Sequence, residues 1–212
     1  MLSNVSKYNL QTKTWIEGVG SAPNLKVARS HFGLACDTNA ASGGVIYAVG
    51  GTNLETYSND ENGIAGSYDL GSVEMLDTAR LEAGWVMVAP LNLPRHGLSV
   101  AIASGFLFAI GGGMETIDSL PAQIVQTVEV LDLTAIPATR VRDLNGTGFG
   151  KEMQSGVGAS WTFSPPLNMP RVYAVAAAVA GGKVCVFGGG ARGGEHQWSW
   201  VEATNTSECT SV

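Results

Sequence analysis

A short pattern, met three times, leaves this chain few folds to choose from: an apolar run of about five residues that ends in paired glycines. It reads Val45-Ile46-Tyr47-Ala48-Val49-Gly50-Gly51, then Phe106-Leu107-Phe108-Ala109-Ile110-Gly111-Gly112, then Lys183-Val184-Cys185-Val186-Phe187-Gly188-Gly189. Runs of this length stopped by a turn signal are β-strand patterns, and self-similarity along a chain means one structural unit used repeatedly. Ahead of each run an arginine opens a second apolar stretch: Arg29 to Ala35, Arg95 to Ala103 and Arg171 to Val179. A short glycine-containing turn joins the two, so each pair predicts an antiparallel hairpin. A third-strand column follows four times, as Val5 to Asn9, Val73 to Asp77, Val128 to Asp132 and Val201 to Asn205. The Asp or Asn closing it predicts a turn. Trp15, Trp85 and Trp161 mark a fourth strand.

Composition agrees with an all-β class. Glycine supplies 28 of 212 residues, nearly twice the roughly 7 % of an average protein, and without a collagen period that excess means tight turns. Charged residues make up 14 % and hydrophobic residues 45 % of the chain, which excludes a disordered polymer. A net charge of −6 leaves no basic stripe for a phosphate backbone, so no nucleic acid partner is expected. The cysteines Cys36, Cys185 and Cys209 are odd in number and lack Cys-x-x-Cys spacing. Neither a disulfide framework nor a zinc site is therefore expected, and a reducing, cytoplasmic setting follows. Residues 1–7 carry no basic stretch followed by an apolar run, as a signal peptide would. The longest apolar stretch, 172–186, falls short of the roughly 20 residues of a membrane helix, so no membrane partner is expected either. Sequons at Asn4, Asn145 and Asn205 carry little weight in a chain not read as secreted.

Four antiparallel strands per unit, punctuated by Gly-Gly, a Leu-Asp or Tyr-Asn corner and a tryptophan, resemble the kelch repeat. Tyr8-Asn9-Leu10-Gln11-Thr12-Lys13-Thr14-Trp15 is especially similar to its second half. The resemblance spans residues 4–205 and implies a kelch-type β-propeller, each repeat being one blade around a central channel. The units divide into a half blade at 4–16, blades at 29–86 and 95–162, and an incomplete blade at 171–205, with a tail at 206–212. The propeller is thus partial, about three four-stranded antiparallel blades. Closure needs at least about four blades, so the chain is expected to be a fragment of a longer propeller, or a homodimer in which two copies close one ring. Taken alone it should expose blade faces and unpaired edges. The tryptophans recur at intervals well above the roughly 50 residues of an ordinary repeat. The excess lies in 52–71, 113–126 and 133–160, and polar, Gly-rich loops of such length are functional or disordered.

A propeller does not decide function, so chemistry must be sought residue by residue. Nucleophilic catalysis needs a base beside Ser or Cys, and His31, His96 and His196 come with no Gly-x-Ser-x-Gly or cysteine signature. Glu115 with Asp118, and Glu195 beside His196, do not make a ligand set, so no metal and no cofactor is expected. The glycines of Asn145 to Glu152 suit an anion, but Asn145 and Glu152 stand where a Walker loop needs Gly and Ser or Thr. Arg29, Arg95 and Arg171, two of them following Pro-Leu-Asn-(Leu/Met)-Pro, recur in every unit and are expected to hold adjacent blades by hydrogen bonds. The tryptophans are expected to pack blades together.

Positions that differ between repeats are better functional candidates, because a common frame then presents different side chains. His31, His96 and Tyr173 lie one or two residues beyond the arginines. In the family this chain resembles, such positions and the loops after the double glycine face one ligand-binding rim. That analogy adds Asn53, Glu55, Tyr57, Asp60, Glu61, Met114, Glu115, Arg192 and Glu195. Segment 52–71 holds Glu55, Asp60, Glu61 and Asp69 with no Lys or Arg, so the expected partner is a basic segment of another protein. The resemblance implies a protein–protein interaction module without catalysis; substrate recognition for a cullin-type ubiquitin ligase and actin binding are known uses of such modules. The competing readings are an enzyme on the same scaffold, similar to a sugar oxidase or mutarotase, and a truncated inactive product.

Overall fold

A computed structural model describes residues 3–16, 22–38, 43–53, 68–114, 123–136, 159–192, 201–203 and 205–211. The first strand pair is β1 (Lys7–Asn9) with β2 (Thr14–Ile16). The first complete blade is β3 (Gly33–Asp37), β4 (Val45–Val49), β7 (Val73–Asp77) and β8 (Val86–Val88), with β5 (Thr52–Asn53) and β6 (Tyr68–Asp69) forming a separate hairpin. The second is β9 (Ser99–Ala103), β10 (Phe106–Ile110), β13 (Val128–Asp132) and β14 (Thr162–Ser164), with the hairpin β11 (Gly113–Met114) and β12 (Gln123–Ile124). The third is β15 (Val175–Val179), β16 (Lys183–Phe187) and β19 (Ser207–Ser211), with the hairpin β17 (Gly190–Arg192) and β18 (Val201–Ala203). Every pairing is antiparallel, and in each blade the glycine-tipped strand sits centrally, between the strand after the arginine and the third strand.

Two expectations about the last unit are overturned. Its third strand is Ser207–Ser211, not Val201 to Asn205, so 206–212 is no tail. Val201–Ala203 instead pairs with Gly190–Arg192 in the hairpin that each unit places after its double glycine. The same hairpins show that 52–71 and 113–126 begin and end as strands. Cys185 and Cys209 face each other across β16 and β19 and form a disulfide, against the expectation of unpaired thiols. Spacing along the sequence could not show this, because the cysteines are brought together by strand register.

Period-2 alternation sorts each blade into two apolar faces, and blades stack back to front. Tyr47, Val49 and Met75 pack with Leu107, Ala109 and Leu131 of the next blade. Ala101, Phe108 and Ile110 pack with Val184 and Val186 of the third. In front of the first blade the β1–β2 pair covers only part of the face, leaving a cavity of about 610 Å³ lined by Leu25, Leu34, Ile46 and Trp85 among others. At the other end Val175, Val179 and Phe187 are exposed on the back of the third blade, so exposed faces occur as expected. Trp85 and Trp161 are buried and donate to the carbonyls of Pro23 and Ala89 in the segments entering their own blades. Trp15 is 63 % exposed and stacks edge-on against Tyr8.

A buried arginine clamp holds each blade. The Arg29 guanidinium donates to the carbonyls of Gly50 and Ser72, to the Ser72 hydroxyl and to Glu74. Arg95 does the same to Gly111, Thr127 and Glu129, and Arg171 to Gly188, Thr206 and Glu208. Each glutamate also accepts from the chain entering the blade: Glu74 from the amides of Lys26 and Val27, Glu129 from Asn92 and Leu93, Glu208 from Asn168. These side chains therefore tie strands within one blade, rather than neighbouring blades as the repeat suggested. The backbone makes the link between blades, since the amides of Gly51 and Gly112 donate to the carbonyls of Arg95 and Arg171. That contact requires glycine: Gly111 has φ 60°, and a Cβ there would stand 2.5 Å from the Arg171 carbonyl oxygen.

Burial lowers the pKa of Arg95, with Glu129 pulling the other way. Glu129→Gln should cost about 3–5 kcal/mol, the usual result of leaving one partner of a buried pair unneutralised, while Glu82→Gln on the surface leaves thermal melting unchanged. Burial works against the charge of Glu208, but the Asn168 amide and Arg171 outweigh it and its pKa lies below the ordinary value. A depressed pKa in the folded state contributes stability that is present above the unfolded value and lost as pH falls through the folded one. The third blade should accordingly loosen on acidification below about pH 4.5, and Glu208→Gln should flatten that dependence in an acid titration followed by circular dichroism.

Candidate binding rim beside the double glycines

One residue after each arginine the chain makes a bridge to the hairpin that follows its own double glycine: Ser30 to Thr52, His96 to Gly113, Val172 to Gly190. One residue further on the backbone turns left-handed, with φ 52° at His31, 58° at Gly97 and 56° at Tyr173. This turn aims successive peptide groups around the inner margin of the blades. Gly97 N donates to His31 O, and Tyr173 N to Gly97 O, both at 2.7 Å. Glycine takes such a turn without cost, whereas a residue with Cβ pays about 1–2 kcal/mol. His31 and Tyr173 hold a conformation for which the second blade uses glycine.

Gly97 makes room for what surrounds it. A Cβ there would stand 2.6 Å from a Val172 methyl and 2.8 Å from the Tyr173 ring. Over that gap the Tyr173 ring meets His31 edge-on at 5.6 Å between centroids, and both rings lie 6.4 Å from His96. Tyr173 is 54 % exposed and His31 is exposed as well, while His96 is half-buried. His96 Nδ1 lies 2.6 Å from a carboxylate oxygen of Asp69 in β6, a bond that orients the imidazole.

Three of the residues chosen from the sequence, His31, His96 and Tyr173, are thus brought together. Asn53, in β5 next to the bridging Thr52, is half-buried, and Met114 occupies the corresponding place in β11. Arg192 closes β17, the corresponding strand of the third unit. Glu55, Tyr57, Asp60, Glu61, Glu115 and Glu195 lie outside the described residues, as does the glycine-rich segment 145–152. In the sequence Asp69 is only one acid of segment 52–71; its pairing with His96 depends on the β5–β6 register. Among the described residues no group of three or more His, Cys, Asp or Glu side chains could hold a metal ion. No helix among them is long and apolar enough to cross a membrane.

No protein-family model matches the chain. Kelch-like ECH-associated protein 1A of Danio rerio is 33 % identical over 69 residues, which is 32 % of this chain and 10 % of that protein. The solved structure of YjhT superimposes with a TM-score of 0.59 at 15 % identity, covering 98 % of this chain and 48 % of YjhT. The chain spans about half the length of that structure and a tenth of the curated relative. The sequence likeness is kelch-like over a third of the chain, and the fold is a partial kelch-type β-propeller.

Because the ring of Tyr173 rests on Gly97, Gly97→Ala should destabilise the fold by about 1–3 kcal/mol, as overpacking does. In the Tyr173→Ala background the same change should cost measurably less, a coupling that a double-mutant cycle of denaturant unfolding would read.

Proposed function

We propose that this chain is a protein-binding module whose rim, built on His31, His96, Tyr173 and Asp69, takes a basic segment of another protein. The observation that carries the reading is the ring cluster itself. Two exposed aromatic side chains occupy left-handed positions where the neighbouring blade uses glycine, and aromatic faces attract cations. Charge supports it. The segments joining the strands of the three hairpins, 54–67, 115–122 and 193–200, contain Glu55, Asp60, Glu61, Glu115, Asp118 and Glu195 and no Lys or Arg. Substrate recognition for a ubiquitin ligase and actin binding are two forms such binding takes in kelch-like proteins, and both belong to this reading as family expectations.

Catalysis on the same scaffold has one observation in its favour: the His96–Asp69 pair holds an imidazole as a general base is held. Ring closure by two copies is not part of the proposal. A half blade lent by a second chain would compete with β19 for the third place in the last blade. Asn4 and Ser6 stand ahead of and within that column where Thr206 and Glu208 serve Arg171, so the exchange would strip a buried guanidinium of its carboxylate. The cytoplasmic setting inferred from the cysteines has the Cys185–Cys209 disulfide against it, since such bonds persist in oxidising compartments.

Titration of a fluorescent Lys- and Arg-rich peptide should give saturable, salt-sensitive binding, with an acidic peptide of equal length inert. Tyr173→Ala, and separately the triple change of Glu55, Asp60 and Glu61 to Ser, should each weaken binding by roughly fivefold or more without altering the melt. Equal affinity in all three proteins would remove the rim from the reading, and oxidation or anomer interconversion of a free sugar that His96→Gln abolishes would put catalysis in its place.

A further inference from the structure

Three rings, one from each of three consecutive units, come within reach of a single cation. The centroids of His31 and Tyr173 are 5.6 Å apart, and that of His96 lies 6.4 Å from each. Their planes are inclined to one another by 58°, 63° and 49°, close to the angles between the sides of a triangular prism. Rings so tilted neither stack nor lie flat; they wall a corner. A point about 3 Å out of the plane of the three centroids stands about 4.7 Å from each, inside the roughly 6 Å over which a ring face attracts a cation. Gly97 permits the spacing, because a Cβ there would stand 2.8 Å from the Tyr173 ring. Asp69 brings a negative charge beside the corner, and one of its carboxylate oxygens already holds His96 Nδ1 at 2.6 Å. His96, Asp69 and Tyr173 make further contacts as well; the corner is defined by the spacing and tilt of the rings.

We propose that His31, His96 and Tyr173 form a cage for a methylated ammonium, so that the basic segment is recognised at an N-methylated lysine; this rests on the rim being the binding surface. An unmodified lysine ammonium carries three N–H donors and a strongly held hydration shell. Docking it on ring faces strips that water without supplying acceptors in its place. Methylation keeps the charge and removes the donors. The methylated cation therefore loses less on leaving water while the rings attract it as before. Asp69 contributes in two ways: its charge favours any cation nearby, and its bond to Nδ1 fixes how the His96 ring stands. Both imidazoles serve as neutral walls, because an imidazolium would repel the ligand.

Isothermal titration of the full chain at about pH 8, where histidine is ordinarily neutral, tests this with one Lys-rich peptide in three forms. The first is unmodified, the second carries a trimethyllysine, and the third carries in its place the uncharged tert-butyl isostere of that side chain. The trimethyl peptide should bind about tenfold more tightly than the unmodified one, and the isostere should lose that gain. Tyr173→Ala and His31→Ala should each bring the ratio of trimethyl to unmodified affinity toward one. That ratio is read within one protein, so a general loss of affinity does not move it. Saturable binding without preference for the methylated form overturns the cage and leaves the rim as the binding surface. An isostere that binds as tightly as the trimethyl peptide overturns the cage too, since charge then plays no part, and so does a preference that survives in both variants. Binding by none of the three peptides overturns the cage and the rim together.

Discussion

A guanidinium buried among three strands sets the terms for the rest of each blade. Arginine keeps its proton under all ordinary conditions, and removing its charge from water costs several kcal/mol unless the site replaces the lost hydration. The replacement comes from the double glycine, from a Ser or Thr just ahead of the third strand, and from a glutamate within it. These groups converge only in one register of the second and third strands. The hydrophobic faces make a blade adhere to its neighbours, and the clamp specifies how its own strands align.

The same arginine works outward through its main chain. Its carbonyl accepts the amide of the preceding blade's second glycine, so the geometry that satisfies one blade also spaces it from the previous one. Two residues later the backbone turns left-handed in every unit. Side chains at that offset are therefore delivered to a common margin by a purely structural device. This is why the rings of His31 and Tyr173 meet although 142 residues separate them, with His96, one residue ahead of the Gly97 turn, alongside. A rim assembled in this way can vary its chemistry from blade to blade without disturbing the frame that carries it.

The last blade shows what the frame tolerates. Its third strand carries the clamp residues, and a covalent bond stands in the position where the other blades place an apolar cross-strand pair. Its back face leaves Val175, Val179 and Phe187 exposed. At the opposite end, the β1–β2 pair covers the front of the first blade incompletely.

Strand pattern, glycine pairs, arginines and tryptophans were legible in the sequence because each answers to a local requirement: alternation, positive φ, or a side chain of a given size at a given offset. The one misplaced strand had a readable signal, the Ser or Thr two residues ahead of the glutamate in Ser72 to Glu74, Thr127 to Glu129 and Thr206 to Glu208, which Val201-Glu202 lacks. That rule acquires its meaning only from the clamp, since the hydroxyl matters because a buried guanidinium needs it. The disulfide, the His96–Asp69 pair and the ring cluster depend on which residues of distant segments come to lie opposite one another. Local chemistry determined the strands and turns of this protein. Register and blade stacking alone decided which side chains touch, because those contacts are set by the desolvation of arginine and the burial of sheet faces, forces that act only once the chain has come together.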